Sequence, residues 1–259
     1  MGGPEPAEGV PAAHSPAPSL GVVVPTLDEA RCLPRLLARL LDPAAPAADR
    51  AERVVVADGG SADGTRELAA AGGCLLVHAS GGRGAQLAAG ARALETDLLL
   101  FLHADCVPAP GALERLRAAF RDGALQVAAM SQRVEARGLF YRCVESAADL
   151  RARLGVVYGD SGLCLRRPLY EAVGGFADLP LFEDVELSRR LRRRARARLV
   201  CDARLLVSSR RWRAEGPLRC SARNWILSAA FLAGVSPRRL ARYYRPQRAA
   251  HPPRGASGS

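Results

Sequence analysis

Short apolar runs alternate with segments of helical apolar spacing along the first half of the chain. The apolar runs predict strands over 20–24, 53–57, 74–77 and 98–102, and the spaced segments predict helices over 30–41, 61–71 and 83–94. The run over 98–102 contains no polar residue, which is typical of a strand covered on both faces. This order predicts an α/β fold in which a mostly parallel central sheet is flanked by helices.

The alternation becomes less regular in the second half. Helices are expected over 111–120, 139–154, 168–173 and 183–197, and strands over 125–134, 163–166 and 199–207. The tails, 1–18 and 246–259, are rich in Pro, Ala and Gly and are expected to be disordered. We therefore expect one domain over 19–245, made of a nucleotide-binding half (19–108), an acceptor half (109–215) and C-terminal helices (216–245).

Polar residues follow four of the predicted strands of the first half. They are Pro25-Thr26-Leu27-Asp28-Glu29, the run from Asp58 to Thr65, Gly81-Gly82-Arg83-Gly84, and His103 with Asp105. A carboxylate at such a strand end can hold a divalent cation, and an arginine can pair with a phosphate. Each group alone also fits a turn or a helix cap. Because all four lie at one edge of one sheet, we favour a ligand site.

The charged residues of the chain limit which reactions and which ligands it can have. Of 259 residues, 37 are basic and 26 acidic, so the formal net charge is +11, and every basic residue is arginine. The lack of lysine excludes Schiff-base chemistry and a P-loop lysine, whereas the positive charge favours anionic ligands. The seven arginines within 189–198 fall all round a predicted helix and are expected to form a solvated face.

Cysteine usage and hydropathy point to a cytoplasmic protein. The seven cysteines are dispersed and form no C-x-x-C pair, which indicates a reducing compartment. No apolar run reaches 18 residues, so no transmembrane helix is expected, and no signal peptide is expected either.

Several motifs carry a resemblance to a known family. Val22 to Glu29, Asp58 to Thr65 and the strand that ends at Asp105 resemble the N-terminal half of a family 2 glycosyltransferase with the GT-A fold. Further motifs resemble the subgroup labelled arsenosugar-biosynthesis-type glycosyltransferases, over roughly residues 20–245. They are Gly82-Arg83-Gly84-Ala85-Gln86, Phe101 to Asp105, Gly159-Asp160-x-Gly162, Gly174-Gly175-Phe176, Glu183 to Leu191 and Arg210-Arg211-Trp212.

The resemblance implies a sugar transfer from a nucleotide-sugar donor to an acceptor hydroxyl, assisted by Mn²⁺ or Mg²⁺. It implies that Asp105 is the metal-binding carboxylate of a D-x-D element whose first Asp is replaced here by His103. It also implies that Asp184 is the general base of an inverting reaction, with Glu183 beside it. The nucleotide-sugar contacts that it implies are Pro25, Thr26, Glu29, Asp58, Arg83, His103 and Asp105. Diphosphate or acceptor contacts are expected from Asp160, Arg210, Arg211 and Trp212.

Other functions fit the sequence less well. A sugar-nucleotide nucleotidyltransferase would be expected to carry a lysine early in the chain, and a Rossmann dehydrogenase would show G-x-G-x-x-G after the first strand. Aromatic residues make up only 5% of the chain and no nucleic-acid-binding motif occurs, so no nucleic-acid partner is expected. A GT-A protein that binds nucleotide but has lost turnover stays open, because His103 departs from the family pattern.

The segment 218–244 has two interpretations. Its apolar residues, including Trp225, Ile226, Phe231 and Leu232, surround the predicted helix axis, which favours a helix buried over the acceptor side of the cleft. The arginines and tyrosines that follow also suit an anionic membrane surface, where a lipid-linked acceptor would reach Asp184. The acceptor is therefore expected to be either a small molecule or lipid-linked. The protein is expected to be cytoplasmic, with a peripheral position at a membrane as the alternative.

Overall fold

Eight strands form one mixed sheet in the computed structural model, which describes residues 17–244. The tails predicted to be disordered lie outside the described residues, apart from Ala17 and Pro18. The sheet order is β3-β2-β1-β4-β7-β6-β8-β5. The strands are β1 (Leu20–Thr26), β2 (Arg53–Asp58), β3 (Leu75–His78), β4 (Leu98–Phe101), β5 (Cys106–Pro108), β6 (Val127–Val134), β7 (Leu163–Arg166) and β8 (Ala197–Val207).

The first four strands, β1 to β4, run parallel to one another, as the alternating pattern predicts. Val23 in the middle of β1 lies opposite Val55 of β2 and Phe101 of β4. The second half joins with mixed polarity, because β7 runs antiparallel to β4 and β6, and β8 runs parallel to β6. The prediction of a mostly parallel α/β sheet is confirmed, and the carboxyl ends of β1, β2 and β4 share one edge.

The described chain has ten α-helices, of which the first seven lie between strands and the last three follow the last strand. They are α1 (Leu33–Leu40), α2 (Thr65–Ala71), α3 (Arg83–Arg92), α4 (Ala112–Ala119), α5 (Leu139–Arg153), α6 (Arg167–Ala172), α7 (Glu183–Leu191), α8 (Arg210–Glu215), α9 (Pro217–Leu232) and α10 (Pro237–Leu240). Three short 3₁₀ helices are Ala47–Asp49, Gly159–Ser161 and Ala241–Tyr243.

Some predicted boundaries are wrong. Helix α2 begins at Thr65 instead of 61, because the side chains of Ser61 and Asp63 bond to backbone N–H groups of residues 28 and 30 across the loop. Helix α1 begins at Leu33, with Pro34 in its first turn. Helix α7 ends at Leu191, and the chain turns before β8. Strand β5 has only three residues and was not predicted.

The core lies on both faces of the sheet. Leu99 and Leu100 of β4 are fully buried and belong to opposite clusters, with Val23 and Val22 of β1 respectively. Helix α3 packs closely on β1, since a Cβ at Gly90 would lie only 2.4 Å from a methyl carbon of Val23. This packing brings the first residue of α3, Arg83, to the carboxyl edge of the sheet.

The prediction that the C-terminal helix is buried all round is wrong. Of the residues in α9, only Cys220 and Leu227 are buried, whereas Trp225, Ile226 and Leu232 are 71%, 67% and 76% exposed. The helix packs with one face alone, so its all-round apolarity does not reflect all-round burial. Among the described residues, no helix is both long and apolar enough to cross a membrane.

Helix α4 is capped from a distant part of the chain. Its N-cap residue is Gly111, and the carboxylate of Asp49 accepts hydrogen bonds from the backbone N–H groups of Gly111 (2.7 Å), Leu113 (3.0 Å) and Glu114 (3.3 Å). Arg39 of α1 pairs with the same carboxylate at 2.6 Å. Asp49 is only 4% exposed, so it ties α1 and α4 together in a poorly solvated environment.

We predict that Asp49→Ala lowers the free energy of unfolding by about 3 kcal/mol, because α4 loses its cap and Arg39 its buried partner. Urea unfolding followed by circular dichroism measures this change. Asp202→Ala is the matched control, since Asp202 is 72% exposed and 3.8 Å from Arg115, a contact expected to contribute about 0–1 kcal/mol. Equal losses in the two variants would contradict the role of Asp49.

Candidate active site

A cavity of about 520 Å³ opens at the carboxyl edge of β1 and β4. Helices α3, α7, α8 and α9 form its walls, so both halves of the chain contribute to it. Most residues that the sequence singled out line this one cavity: Pro25, Thr26, Glu29, Arg83, His103, Asp105, Asp160, Asp184, Arg210, Arg211 and Trp212. The convergence of four polar strand ends was thus predicted correctly for three of them.

Asp58 is the strand-end residue that does not line the cavity. It is fully buried, and its two oxygens accept hydrogen bonds from Thr26 Oγ1 (3.2 Å), Ser61 Oγ (2.5 Å) and the N–H groups of Gly60 (2.9 Å) and Ser61 (3.0 Å). Burial opposes its ionisation, but these bonds prevail and lower its pKa. Asp58 therefore holds the loop after β2 in place and has no acceptor capacity left for a nucleoside.

Gln86 is a cavity residue to which no role was assigned from the sequence. Its side-chain amide donates to the backbone oxygens of Thr26 (2.6 Å) and Ala57 (3.0 Å), and the side chain is 6% exposed. These bonds tie α3 to the carboxyl ends of β1 and β2. The Gly82 to Gln86 motif is the sequence signal that points to this residue. The role of Gln86 could not be predicted, because its hydrogen-bond partners are backbone oxygens far away in the sequence.

Arg210 joins the two halves of the site. Its guanidinium binds Glu29 with two hydrogen bonds, at 2.7 and 2.6 Å, and its Nε donates to Asp105 Oδ2 at 3.0 Å. Burial alone would lower the pKa of Arg210, but the bonds to Glu29 and the charge of Asp105 raise it. The two carboxylates and the guanidinium therefore form one compensated cluster at the end of β4.

Arg211 lines the cavity beside this cluster and has no carboxylate within salt-bridge distance among residues 17–244. Its guanidinium donates a hydrogen bond to the hydroxyl of Tyr244 and lies 4.9 Å from the centre of that ring. Burial lowers the pKa of Arg211, although an arginine stays charged at neutral pH. A half-buried cation without a protein anion is well suited to a ligand phosphate.

His103 is a neutral side chain in this surrounding. Burial lowers its pKa well below the usual value, and the nearby charges of Arg83, Arg211 and Arg210 act in the same direction. Its Nε2 lies close to Gly159, where a Cβ atom would be only 2.3 Å from it. The imidazole can therefore donate and accept hydrogen bonds in the cavity without carrying charge.

Asp184 faces the cavity from the first turn of α7. Its Oδ2 accepts a hydrogen bond from the N–H of Gly159 and its Oδ1 from that of Val185, both at 2.7 Å. Burial and the charge of Glu183 raise its pKa to about 6, against the opposing effect of Arg83. A carboxylate with that pKa is ionised at neutral pH and basic enough to take a proton.

Glu183 lies behind the cavity wall. It is 1% exposed and forms an ion pair with the Nε of Arg83 through Oε1, while its Oε2 is buried and has no hydrogen-bond partner in the described part of the chain. It is therefore placed to influence Asp184 by charge and does not itself line the cavity.

The wall opposite the strand ends is largely apolar. It is lined by Tyr158, Leu181, Phe182, Leu227, Ser228 and Tyr244. The guanidinium of Arg151 lies 3.6 Å from the centre of the Tyr158 ring, a cation–π contact that restrains this ring. The cavity thus has a charged end at the sheet and an aromatic end at α9, with Asp184 lining it as well.

The residues at the charged end fit a divalent cation that arrives with a diphosphate. Within 17–244, no three His, Cys, Asp or Glu side chains are placed to hold a metal ion by themselves. Mg²⁺ sites in phosphate chemistry commonly need only one or two carboxylates, since phosphates and waters complete the shell. Asp105 can supply one, because its Oδ1 has only a long contact (3.7 Å) to Cys106 Sγ.

Comparison with known proteins agrees with this geometry. The profile of glycosyl transferase family 2 matches residues 21–151. Among curated proteins, none matches the chain significantly.

Many solved structures share the fold. A mannosyltransferase from Pyrobaculum calidifontis, in complex with GDP-Man and Mn²⁺, is 19% identical over 86% of this chain and 67% of its own, with a TM-score of 0.61. Glucosyl-3-phosphoglycerate synthase from Mycobacterium tuberculosis, in complex with Mn²⁺, UDP-Glc and phosphoglyceric acid, is 20% identical over 74% and 70%, with a TM-score of 0.50. A mycobacterial protein is 22% identical over 74% of this chain and 65% of its own, with a TM-score of 0.51.

At these identities the likeness shows the fold, which is the GT-A glycosyltransferase fold that the sequence predicts. The chain spans about two thirds of the length of these structures.

Proposed function

The chain belongs to glycosyl transferase family 2, and from this premise we propose that it moves a sugar from a nucleotide-sugar donor to an acceptor hydroxyl, with inversion. One observation carries the proposal: a single cavity holds the polar strand ends of the nucleotide half together with an oriented carboxylate, Asp184. In this proposal residues 19–108 form the nucleotide-binding half, residues 109–215 form the acceptor half, and helix α9 of the C-terminal segment 216–245 borders the cavity.

The donor occupies the charged end of the cavity. Pro25, Thr26 and Glu29 line it at the end of β1, where the nucleoside is expected, with Arg83 and His103 alongside. Asp58 acts one layer below by holding the loop after β2. The neutral imidazole of His103 offers a hydrogen bond to the ribose or to water and adds no charge to the site.

Asp105 would hold Mn²⁺ or Mg²⁺ together with the donor diphosphate. When bound there, the cation would supply positive charge against the departing nucleoside diphosphate. Arg211, which has no carboxylate partner within residues 17–244, pairs with the same diphosphate, and Tyr244 restrains its guanidinium. Arg210 keeps Asp105 and Glu29 in place, and Trp212 and Asp160 border the acceptor side.

Asp184 is the general base. It removes the proton of the acceptor hydroxyl as the oxygen attacks the anomeric carbon from the face opposite the diphosphate, which inverts that centre. The hydrogen bonds from Gly159 and Val185 hold the carboxylate in one orientation. Its raised pKa, about 6, makes it a better proton acceptor than an ordinary aspartate at neutral pH.

The sugar is proposed to be a hexose, in keeping with the GDP-Man and UDP-Glc held by two similar structures. The motif resemblance supports a place in the arsenosugar-biosynthesis-type subgroup. The seven cysteines are all free thiols, which supports a cytoplasmic location.

The acceptor is proposed to be lipid-linked and presented at an anionic membrane surface. Helix α9 exposes an apolar stripe with spacings of four and three residues: Leu218, Ala222, Trp225, Ala229 and Leu232. Between residues 216 and 244 there is no Asp or Glu but there are five arginines. One of these arginines, Arg223, pairs with Glu215, and the other four have no salt bridge within residues 17–244. An apolar stripe beside an excess of positive charge is the composition of a helix that lies in a membrane interface.

We predict that Asp184→Asn lowers turnover by roughly 10²–10⁴-fold with little change in donor affinity, because the amide cannot accept a proton. In the wild type, activity should be lost as the pH falls through about 6, where Asp184 becomes protonated. Steady-state kinetics across pH measures both effects. Glu186→Gln is the matched control, on the same helix but outside the cavity. Near-native turnover of Asp184→Asn would remove the base assignment.

We predict that Asp105→Ala abolishes the gain in nucleoside diphosphate affinity that Mn²⁺ provides, because the cation loses its only protein carboxylate in this proposal. Calorimetry with UDP and GDP, with and without Mn²⁺, measures the gain, and a chelator should remove it from the wild type. Asp160→Ala, in the same cavity but paired with Arg151, should keep it. An undiminished Mn²⁺ effect in Asp105→Ala would place the cation elsewhere.

We predict that the full chain pellets with vesicles containing phosphatidylserine at low salt and less at moderate salt, because arginines draw it to an anionic surface. Phosphatidylcholine vesicles are the control for charge. Trp225→Ala should weaken pelleting by removing the largest side chain of the apolar stripe. Failure of the wild type to pellet at low salt would leave a soluble acceptor as the remaining proposal.

A further inference from the structure

The backbone immediately before the proposed base is in an unfavourable conformation. Phe182 has a φ of 62°, in the left-handed region that residues with a large side chain rarely adopt. It is the N-cap of α7, and Asp184 is the second residue of that helix. Such a conformation persists only where surrounding contacts hold it. The contacts of Phe182 therefore decide where the carboxylate of Asp184 is placed.

Helix α9 supplies the main contact. The ring of Phe231 stacks on that of Phe182, with 4.9 Å between the ring centres and 17° between their planes. Phe182 is 9% exposed and lies in a small apolar cluster with Leu181, Val185 and Leu227. Phe231 itself does not line the cavity. The stack on Phe182 therefore links Phe231 to the residue that precedes the first turn of α7.

The same face of α9 also contacts the second segment that holds Asp184. One turn before Phe231, Ser228 lies with its Oγ 3.3 Å from the hydroxyl of Tyr158, which donates to it. Tyr158 immediately precedes Gly159, whose N–H donates to Asp184. One helix face thus touches both the residue that starts α7 and the segment that carries the hydrogen-bond donor of the base.

We infer that α9 positions the general base, with Phe231 as the positioning residue. The inference rests on the proposed function for its chemical consequence, but the placement of the carboxylate can be tested separately. Loss of the ring stack should free Phe182 to leave the left-handed conformation, move the start of α7 and lengthen the Gly159–Asp184 hydrogen bond. The outer face of α9, which carries the exposed apolar stripe, lies across the same helix from this contact.

The test compares three variants of the full chain. Phe231→Leu keeps an apolar side chain but removes the stack, and Phe231→Tyr keeps the ring. Phe140→Leu is the matched control, since Phe140 packs edge-to-face on Tyr141 and does not line the cavity. The primary measurement is amide hydrogen exchange of Gly159 by NMR, with Val55 in the core as a monitor of global unfolding.

We expect Gly159 to exchange at least tenfold faster in Phe231→Leu, with Val55 unchanged, and to return to the wild-type rate in Phe231→Tyr. Turnover should fall by about tenfold to a hundredfold in Phe231→Leu, since small misplacements of a reacting group have effects of that size. Binding of UDP or GDP with Mn²⁺ should not change. Phe140→Leu should match the wild type in every measurement.

The two proposals fail separately. An unchanged Gly159 exchange rate in Phe231→Leu would overturn the positioning inference, whatever happens to activity. Faster exchange of Gly159 in Phe231→Leu, combined with near-native turnover of Asp184→Asn, would separate the two proposals. Helix α9 would still be the element that positions the Asp184 carboxylate, but Asp184 would not be the general base.

Discussion

Compensation of negative charge is the constraint on which this cavity depends. Glu29, Asp105 and Asp184 line one poorly solvated cavity, and Glu183 is buried directly behind its wall, so four carboxylates meet there from three places in the chain. A buried carboxylate without a partner costs far more than one that is paired, so their arrangement requires cations close by. Guanidinium groups suit this task because they stay charged when buried and bind carboxylates through two parallel hydrogen bonds.

The three arginines of the cavity, Arg83, Arg210 and Arg211, are not paired with the carboxylates in the same way, and this difference gives each part of the cavity a different property. Arg210 binds Glu29 with two hydrogen bonds and also reaches Asp105, so one guanidinium is placed against both carboxylates. Arg83 pairs with Glu183, whereas Asp184 accepts two backbone hydrogen bonds, and burial together with the charge of Glu183 raises its pKa. Arg211 has no carboxylate in the described chain. One cavity therefore contains a rigid anchor, a proton acceptor and a cation available to a ligand.

Local sequence patterns predicted the parts of the fold that depend on local chemistry. The apolar run at 98–102 identified a strand buried on both faces, and polar residues after β1 and β4 lie in one cavity as expected. Contacts between distant residues could not be read in the same way. The glycines after Asp58 fitted a turn, but they did not indicate that four hydrogen bonds would occupy both carboxylate oxygens within its own loop and the neighbouring strand. The apolar circumference of α9 likewise suggested burial, because periodicity does not report which face has a neighbour.

The Arg210–Glu29 pair has a consequence for the order in which the protein is made. The two residues are 181 positions apart. At ribosomal rates of about 5–20 residues per second, the carboxylate of Glu29 is synthesised roughly 10–40 s before its partner exists. During that interval the first strands and helices can assemble, but the edge of the sheet carries uncompensated negative charge. The nascent chain thus passes through a stage in which the scaffold is present and the binding site is electrostatically open.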